Sequence, residues 1–264
     1  MPEVTPRQLT VFAQQVTAWR EKRNWSKAQL ASRLGFDASY VSHVENGTKP
    51  PTRAFAERCD SEDAFGLPGT FVALHKGVEL GAQDSAIVAE VEAEAVRLTI
   101  YELRAVPGLL QTPAYMAAQL ATSLAPDAAE HEVKVRTERQ QVLGQLASAW
   151  FLLDEAALRR GHGGKEVMRD QLAHLEVVAA RPNITLQVLP FGAESQPGGD
   201  APITIVEYAD KPTVWLTEGG VSGILSGEHG EVAQAAHVVN LIRAASLSPR
   251  DSINFIRTIK ETYE

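Results

Sequence analysis

Apolar residues recur at helical spacing through the first 60 residues of the chain. Val16 and Trp19 mark one amphipathic stretch, and Leu30, Ala31, Leu34, Val41 and Val44 continue the pattern. Residues 26–47, SKAQLASRLGFDASYVSHVENG, predict a helix, a tight turn and a second helix. Ser26 suits an N-cap, because its hydroxyl accepts from a free first-turn N–H, and Gln29 three residues on completes a capping box. Ala28, Leu30, Ala31 and Leu34 follow at helical spacing. The small Ala31 lets two steeply crossing helices approach. Gly35 ends the first helix, since glycine enters the left-handed conformation without a Cβ penalty. Asp37 is expected to cap the second helix, which spans Ala38 to Asn46. Its Val41 and Val44 point inward and Tyr40 is partly buried. Ala38, Ser39, Ser42 and His43 are left outside, a face of small and hydrogen-bonding residues suited to base edges in a major groove. Residues 48–53, TKPPTR, form a stiff basic loop into a further helix from Thr52 to Cys59. Lys49 and Arg53 are placed to lie on phosphates.

Beyond residue 60 the pattern changes. Residues 60–82 hold an acidic run, two glycine-rich breaks and one apolar stretch, Phe71 to Leu74, and read as the end of a small domain with its link. A helix is expected from Ile87 to Glu94. Residues 96–102 alternate and carry β-branched side chains, which predicts a strand. Pro107-Gly108 is a turn, and Thr112-Pro113 starts a helix with proline at its first position. A long polar helix is expected from Ala128 to Leu146, a buried strand from Trp150 to Leu153, and an amphipathic helix from Lys165 to Ala180. Strands at 184–189, 203–208 and 213–216 follow, the last two as a hairpin around Asp210-Lys211-Pro212. Helices at 228–245 and 249–262 close the chain. The reading is an α+β chain of two domains: an all-α head of about five helices over residues 1–82, and a mixed α/β domain over 83–264 with a sheet of about five strands.

Charge sharpens this division. The net charge is −8. Residues 1–60 hold nine Lys/Arg against six Asp/Glu, or +3, which leaves −11 for the other 204 residues. The positive part coincides with the helix-turn-helix pattern, and the acidic remainder should face away from DNA. One +3 head anchors weakly. Two heads in a homodimer would match two half-sites about one helical turn apart. The single cysteine, Cys59, excludes an internal disulfide and points to a reducing, cytoplasmic compartment. The first residues lack a charged start followed by an apolar run, so no signal peptide is expected, and no apolar run reaches membrane-spanning length.

Catalytic and metal chemistry find little support. None of the seven histidines pairs with another at i+3 or i+4, and there is no cysteine cluster. Gly161-His162-Gly163-Gly164 lacks the Lys-Ser/Thr ending of a phosphate loop and reads as a turn. No Gly-x-Ser-x-Gly elbow is present. Asp154 is expected to cap a helix with Glu155 in its first turn; alternatively Glu155 is a pocket carboxylate facing Arg136 or Arg139. The corner from Pro107 to Thr112 is either a rigid strand-to-helix connection or part of a pocket. Gln111, Arg136, Arg139 and Glu155 are therefore the candidate ligand or partner site. The 195–202 loop is a connector or a lid. Trp215 and Tyr208 read as core. No enzyme, cofactor or metal is expected.

Residues 9–60 resemble the Xre/Cro-repressor-like helix-turn-helix family. The resemblance implies that Arg20 and Glu45 form a buried ion pair between the first helix and the end of the recognition helix. It implies that Lys27, where the family usually has glutamine, touches a phosphate. It places Ala38, Ser39 and His43 at base-reading positions. Ala38 offers only an apolar contact, so readout would rest on Ser39, Ser42 and His43. Residues 104–112 (RAVPGLLQT), Arg136 with Arg139-Gln140, residues 153–159 (LDEAALR) and 188–191 (VLPF) resemble, in that order, the C-terminal domain of actinobacterial WhiJ-like, or Scr-type antitoxin-like, regulators. This resemblance implies a protein partner. Two expectations follow: a dimeric DNA-binding regulator whose second domain senses a small molecule or partner, or an antitoxin-like protein that neutralises a small partner and autoregulates.

Overall fold

The computed structural model describes residues 6–67, 69–79, 84–193, 201–218 and 223–263. The chain divides into two compact units, residues 1–94 with 208–232, and residues 95–207 with 233–264.

The first unit opens with α1 (Pro6–Lys22), α2 (Lys27–Leu34), α3 (Ala38–Glu45), α4 (Arg53–Asp60), α5 (Thr70–Glu79) and α6 (Asp84–Ala93). Val16, Leu30, Val41, Phe55, Cys59 and Phe71 are fully enclosed between these helices. Phe55 meets the edges of Phe36 and Tyr40, and Phe12 meets Phe71 edge-to-face at 5.6 Å between ring centroids. Within the apolar stretch at 71–74, Phe71 and Leu74 are the buried side of α5, which packs on α1 and α4. Asp60 ties α5 down, its carboxylate accepting from the N–H of Phe71 (2.8 Å) and Val72 (3.0 Å). Burial pushes that carboxyl up to about 7, against the pull of these backbone bonds.

The second unit begins with β1 (Arg97–Glu102), a short 3-10 turn at Gly108–Leu110, α7 (Pro113–Leu120) and α8 (Pro126–Arg139). Then come β2 (Ser148–Asp154), α9 (Glu155–Arg159), α10 (Gly164–Ala179), β3 (Ile184–Leu189) and β4 (Ile203–Glu207). These strands lie in the order β3-β2-β1-β4. β1, β2 and β3 are parallel, with Ile100 opposite Phe151 and Phe151 opposite Leu186, and β4 runs antiparallel to β1. Phe151, Leu152 and Leu153 are all buried, as a central parallel strand covered on both faces requires. The helix expected to reach Leu146 stops at Arg139 and tightens into a 3-10 turn, Gln140–Gly144. The tighter turn brings Val142 and Leu143 into the core, and Gln140 donates to the carbonyls of Gly108 (2.9 Å) and Gln111 (2.7 Å).

The expected strand at 213–216 is β5 (Val214–Glu218), which pairs antiparallel with β6 (Gly223–Ser226). β6 has no alternation and was not anticipated. This hairpin groups with the first unit. α11 (His229–Ala245) and α12 (Pro249–Glu261) close the chain. Within the second unit Leu247 and Val188 bond through their backbones at 2.9 Å, and the Ser252 hydroxyl accepts from Val188 N–H, so the start of α12 covers the outer edge of β3. The fold class is the expected one, a helical helix-turn-helix head with a mixed α/β domain. Most of the 195–202 loop falls outside the described residues.

Candidate nucleic-acid interface

Local chemistry sets α2 and α3 at their angle. Ser26 and Gln29 form the reciprocal capping box, with bonds of 3.2 and 2.7 Å. Gly35 ends α2 at φ 72°, in the left-handed region. Arg58 from α4 donates to the free carbonyls of Leu34 (3.2 Å) and Arg33 (3.1 Å), completing the C-terminus of α2. Asp37 stands at the N-cap of α3 with extended backbone, but its side chain makes no capping bond, contrary to expectation. Its carboxylate still sits at the positive end of the helix.

α3 is two-faced. Val41 and Val44 are buried, while Ala38, Ser39 and His43 are exposed and Ser42 is half-buried. Lys27 from α2 reaches this face, its Nζ 3.4 Å from Ser42 Oγ and 3.5 Å from Glu45 Oε2. Behind the face Arg20 grips Glu45 through two bonds, Nε–Oε1 at 2.6 Å and Nη2–Oε2 at 3.1 Å. The Arg20 side chain is 11% exposed and that of Glu45 2%, so the pair is screened from water. Hydrogen bonding to Glu45 outweighs desolvation and raises the Arg20 guanidinium above its ordinary value.

The basic loop is held by Tyr40, whose hydroxyl accepts from Thr52 N–H (3.0 Å) and donates to the Pro50 carbonyl (3.4 Å). Lys49 lies over the Tyr40 ring at 4.9 Å. Arg53 is exposed and pairs with Glu57 one turn on, at 2.9 Å. Thr48, which the sequence reading passed over, lies beside His43, its Oγ1 3.0 Å from Nδ1. The signal was a hydroxyl residue just past the helix end, five positions after an exposed histidine.

The second candidate cluster resolves differently. The carboxylate on Arg136 is Glu132, one turn back on α8 at 2.8 Å, rather than Glu155. Glu155 is buried, paired with Arg159 at 2.5 Å and accepting from Phe191 N–H at 2.8 Å. Its role is to tie α9 to the end of β3. Asp154 caps α9 through Ala156 N–H at 2.8 Å. Gln111 is buried and donates to the Val106 carbonyl (2.7 Å) and Gln119 (3.0 Å), while its own Oε1 has no donor among the described residues. Arg139 passes over the same corner, with Nη2 3.5 Å from where a Cβ on Gly108 would stand. Gln111 and Arg139 thus meet at one corner, and Glu155 belongs to a different connection. Gly163 opens α10 at φ 71°, where a Cβ would stand 2.8 Å from that of Ala118. The glycine-rich run is a close-packed turn. Among the described residues no group of His, Cys, Asp and Glu is arranged to hold a metal, and no helix is long and apolar enough to cross a membrane.

Comparison with known families finds two matching regions. Residues 11–72 match a helix-turn-helix domain, so the head is a DNA-binding fold of the regulator type. No curated protein and no solved structure is similar to the chain. Residues 86–258, well over half of the chain, match a domain of unknown function designated DUF5753, and the chain belongs to that family, with a helix-turn-helix head in front of its defining domain.

Proposed function

We propose that this protein is a sequence-specific transcriptional regulator that binds duplex DNA as a homodimer, with α3 in the major groove. The observation that carries the reading is the division of α3 itself. Its inner valines are buried and its outer Ser39 and His43 are exposed, within a matched helix-turn-helix domain. The second helix of such a motif presents its residues to base edges. Ala38, Ser39, Ser42 and His43 read bases, and Lys27, Lys49 and Arg53 contact phosphates. Two of these cations already have carboxylate partners, Lys27 with Glu45 and Arg53 with Glu57.

Residues 83–264 serve regulation, dimerisation or partner binding, with no catalytic step. Their 15 Lys/Arg against 24 Asp/Glu, a charge of −9, support a position away from DNA. A small molecule or protein bound there changes the spacing of the two recognition helices, and so the affinity. The resemblance of four motifs to those of WhiJ-like regulators supports a protein partner.

The test is binding of the full-length protein to the DNA upstream of its own coding sequence, against a scrambled duplex, by fluorescence anisotropy at physiological salt. Selective binding with two chains per site supports the reading. Equal binding to both duplexes removes it and leaves the antitoxin-like role, in which a small protein partner is the main target.

A further inference from the structure

We propose that Thr48 fixes the tautomer of His43, so that α3 presents a hydrogen-bond acceptor to the major groove and selects a base bearing an exocyclic amine, adenine or cytosine. The inference rests on the DNA-binding reading above and adds the polarity of one contact.

The argument starts from one hydroxyl. Thr48 Oγ1 lies 3.0 Å from His43 Nδ1 and 3.1 Å from the His43 carbonyl oxygen. That carbonyl also accepts from the backbone N–H of Thr48 (3.0 Å) and Lys49 (3.3 Å). Two oxygens 3.1 Å apart repel unless a proton lies between them, and a carbonyl has none to give. The hydroxyl proton therefore points at the carbonyl. Thr48 Oγ1 is left as an acceptor towards the ring, and Nδ1 must carry the hydrogen. A neutral imidazole has one donor nitrogen and one acceptor. Nε2 is then a bare acceptor on an exposed residue, and no described side chain donates to it.

The groove distinguishes the two polarities. Adenine N6 and cytosine N4 carry donors there, whereas guanine O6 and thymine O4 are acceptors. A fixed acceptor pairs with an amine and is repelled by a keto oxygen. Along one strand it separates adenine and cytosine from guanine and thymine. The hydroxyl of Ser39 can donate or accept and makes no such division. Thr48 is a positioning residue here: it need not touch DNA.

The experiment is in vitro selection from a random duplex library with the full-length protein at about pH 8.5, above the range in which histidines ordinarily change charge. Wild type, Thr48→Val, His43→Ala and His43→Lys are compared. Both positions are exposed, so the variants are expected to fold. The position read by His43 is the one whose preference disappears in His43→Ala. There the wild type should favour adenine or cytosine by about tenfold. Thr48→Val should lose most of that preference while the rest of the consensus is kept, and His43→Lys, a pure donor, should turn it to guanine or thymine. A wild-type preference for guanine or thymine, an unchanged Thr48→Val consensus, or no position altered in His43→Ala overturns the proposal with DNA reading intact. Failure of the wild type to enrich any site overturns the regulator reading itself.

Discussion

The guanidinium of Arg20, near the end of α1, meets the carboxylate of Glu45, at the end of α3, through two hydrogen bonds of 2.6 and 3.1 Å. The residues are 25 positions apart, and the pair joins α3 to the first helix of the head. Arg20 also donates to the Trp25 carbonyl at 3.0 Å, which fixes the α1–α2 corner. Removing Arg20 leaves the buried Glu45 carboxylate only the more exposed Lys27, 3.5 Å away, as a counter-ion. Arg20→Ala should therefore destabilise the head by about 3–5 kcal/mol. The paired change Arg20→Met with Glu45→Leu should cost much less, because neither charge is then stranded. Urea denaturation of the three proteins compares them directly. A double variant as unstable as the single one would show that hydrogen bonding to the backbone, not charge pairing, dominates.

The outer face of α3 and the basic loop should separate in their effects on DNA. Ser39→Ala with His43→Ala should lower affinity for a selected site by about 1–3 kcal/mol per lost contact and leave binding to random duplex unchanged. Arg53→Ala should weaken both duplexes alike and reduce the slope of log affinity against log salt by about one. Arg53 already pairs with Glu57, so part of its charge is neutralised before DNA arrives. Anisotropy titrations over a range of salt measure both quantities. Equal losses on selected and random DNA for the Ser39/His43 variant would reverse the assignment.

The head was legible because its signals are local. Ser26, Gln29, Gly35, Val41 and Val44 each act within a few residues, and the structure places each as expected. What escaped was non-local. No helix over 71–74 is predicted by the local pattern, because its cap, Asp60, stands eleven residues upstream of Phe71. Glu155 reads as a pocket candidate because it follows a buried strand and so could stand at the mouth of a sheet. Its satisfaction by Arg159 and by the Phe191 N–H depends on where the end of β3 falls. β6 is too short and too rich in glycine nearby to show a period.

Asp60 should make the head sensitive to pH. Its folded-state value of about 7 lies above the ordinary 3.8. The folded state therefore holds this proton more tightly than the unfolded chain. The contribution to stability is complete below about pH 4 and is lost as pH rises towards 7, by at most about 1.4 kcal/mol per pH unit. Asp60→Asn should flatten that part of the profile. Melting temperatures from pH 4 to 8 for the two proteins provide the comparison, and parallel profiles would show that Asp60 stays ionised throughout.

The buried Gln171 offers the corresponding test in the second unit. It lies on the apolar stripe of α10 with Met168, Leu172 and Leu175, and all four are fully enclosed. A glutamine within such a stripe was the sequence signal for it. Its Oε1 accepts from Thr112 N–H at 2.7 Å and its Nε2 donates to the Leu110 carbonyl at 2.8 Å. One amide thus satisfies both backbone groups of the corner that leads into α7. Gln171→Leu keeps the volume roughly but orphans both groups, and each should cost about 1–3 kcal/mol. Gln171→Glu keeps the shape but not the donor towards Leu110, and burying its charge adds a further penalty unless it takes up a proton. Protonated, it regains a donor, so the glutamate variant should recover stability as pH falls while the leucine variant should not. Denaturation of both at neutral and acidic pH checks this. A leucine variant as stable as wild type would mean that the corner finds other partners and that Gln171 packs without organising it.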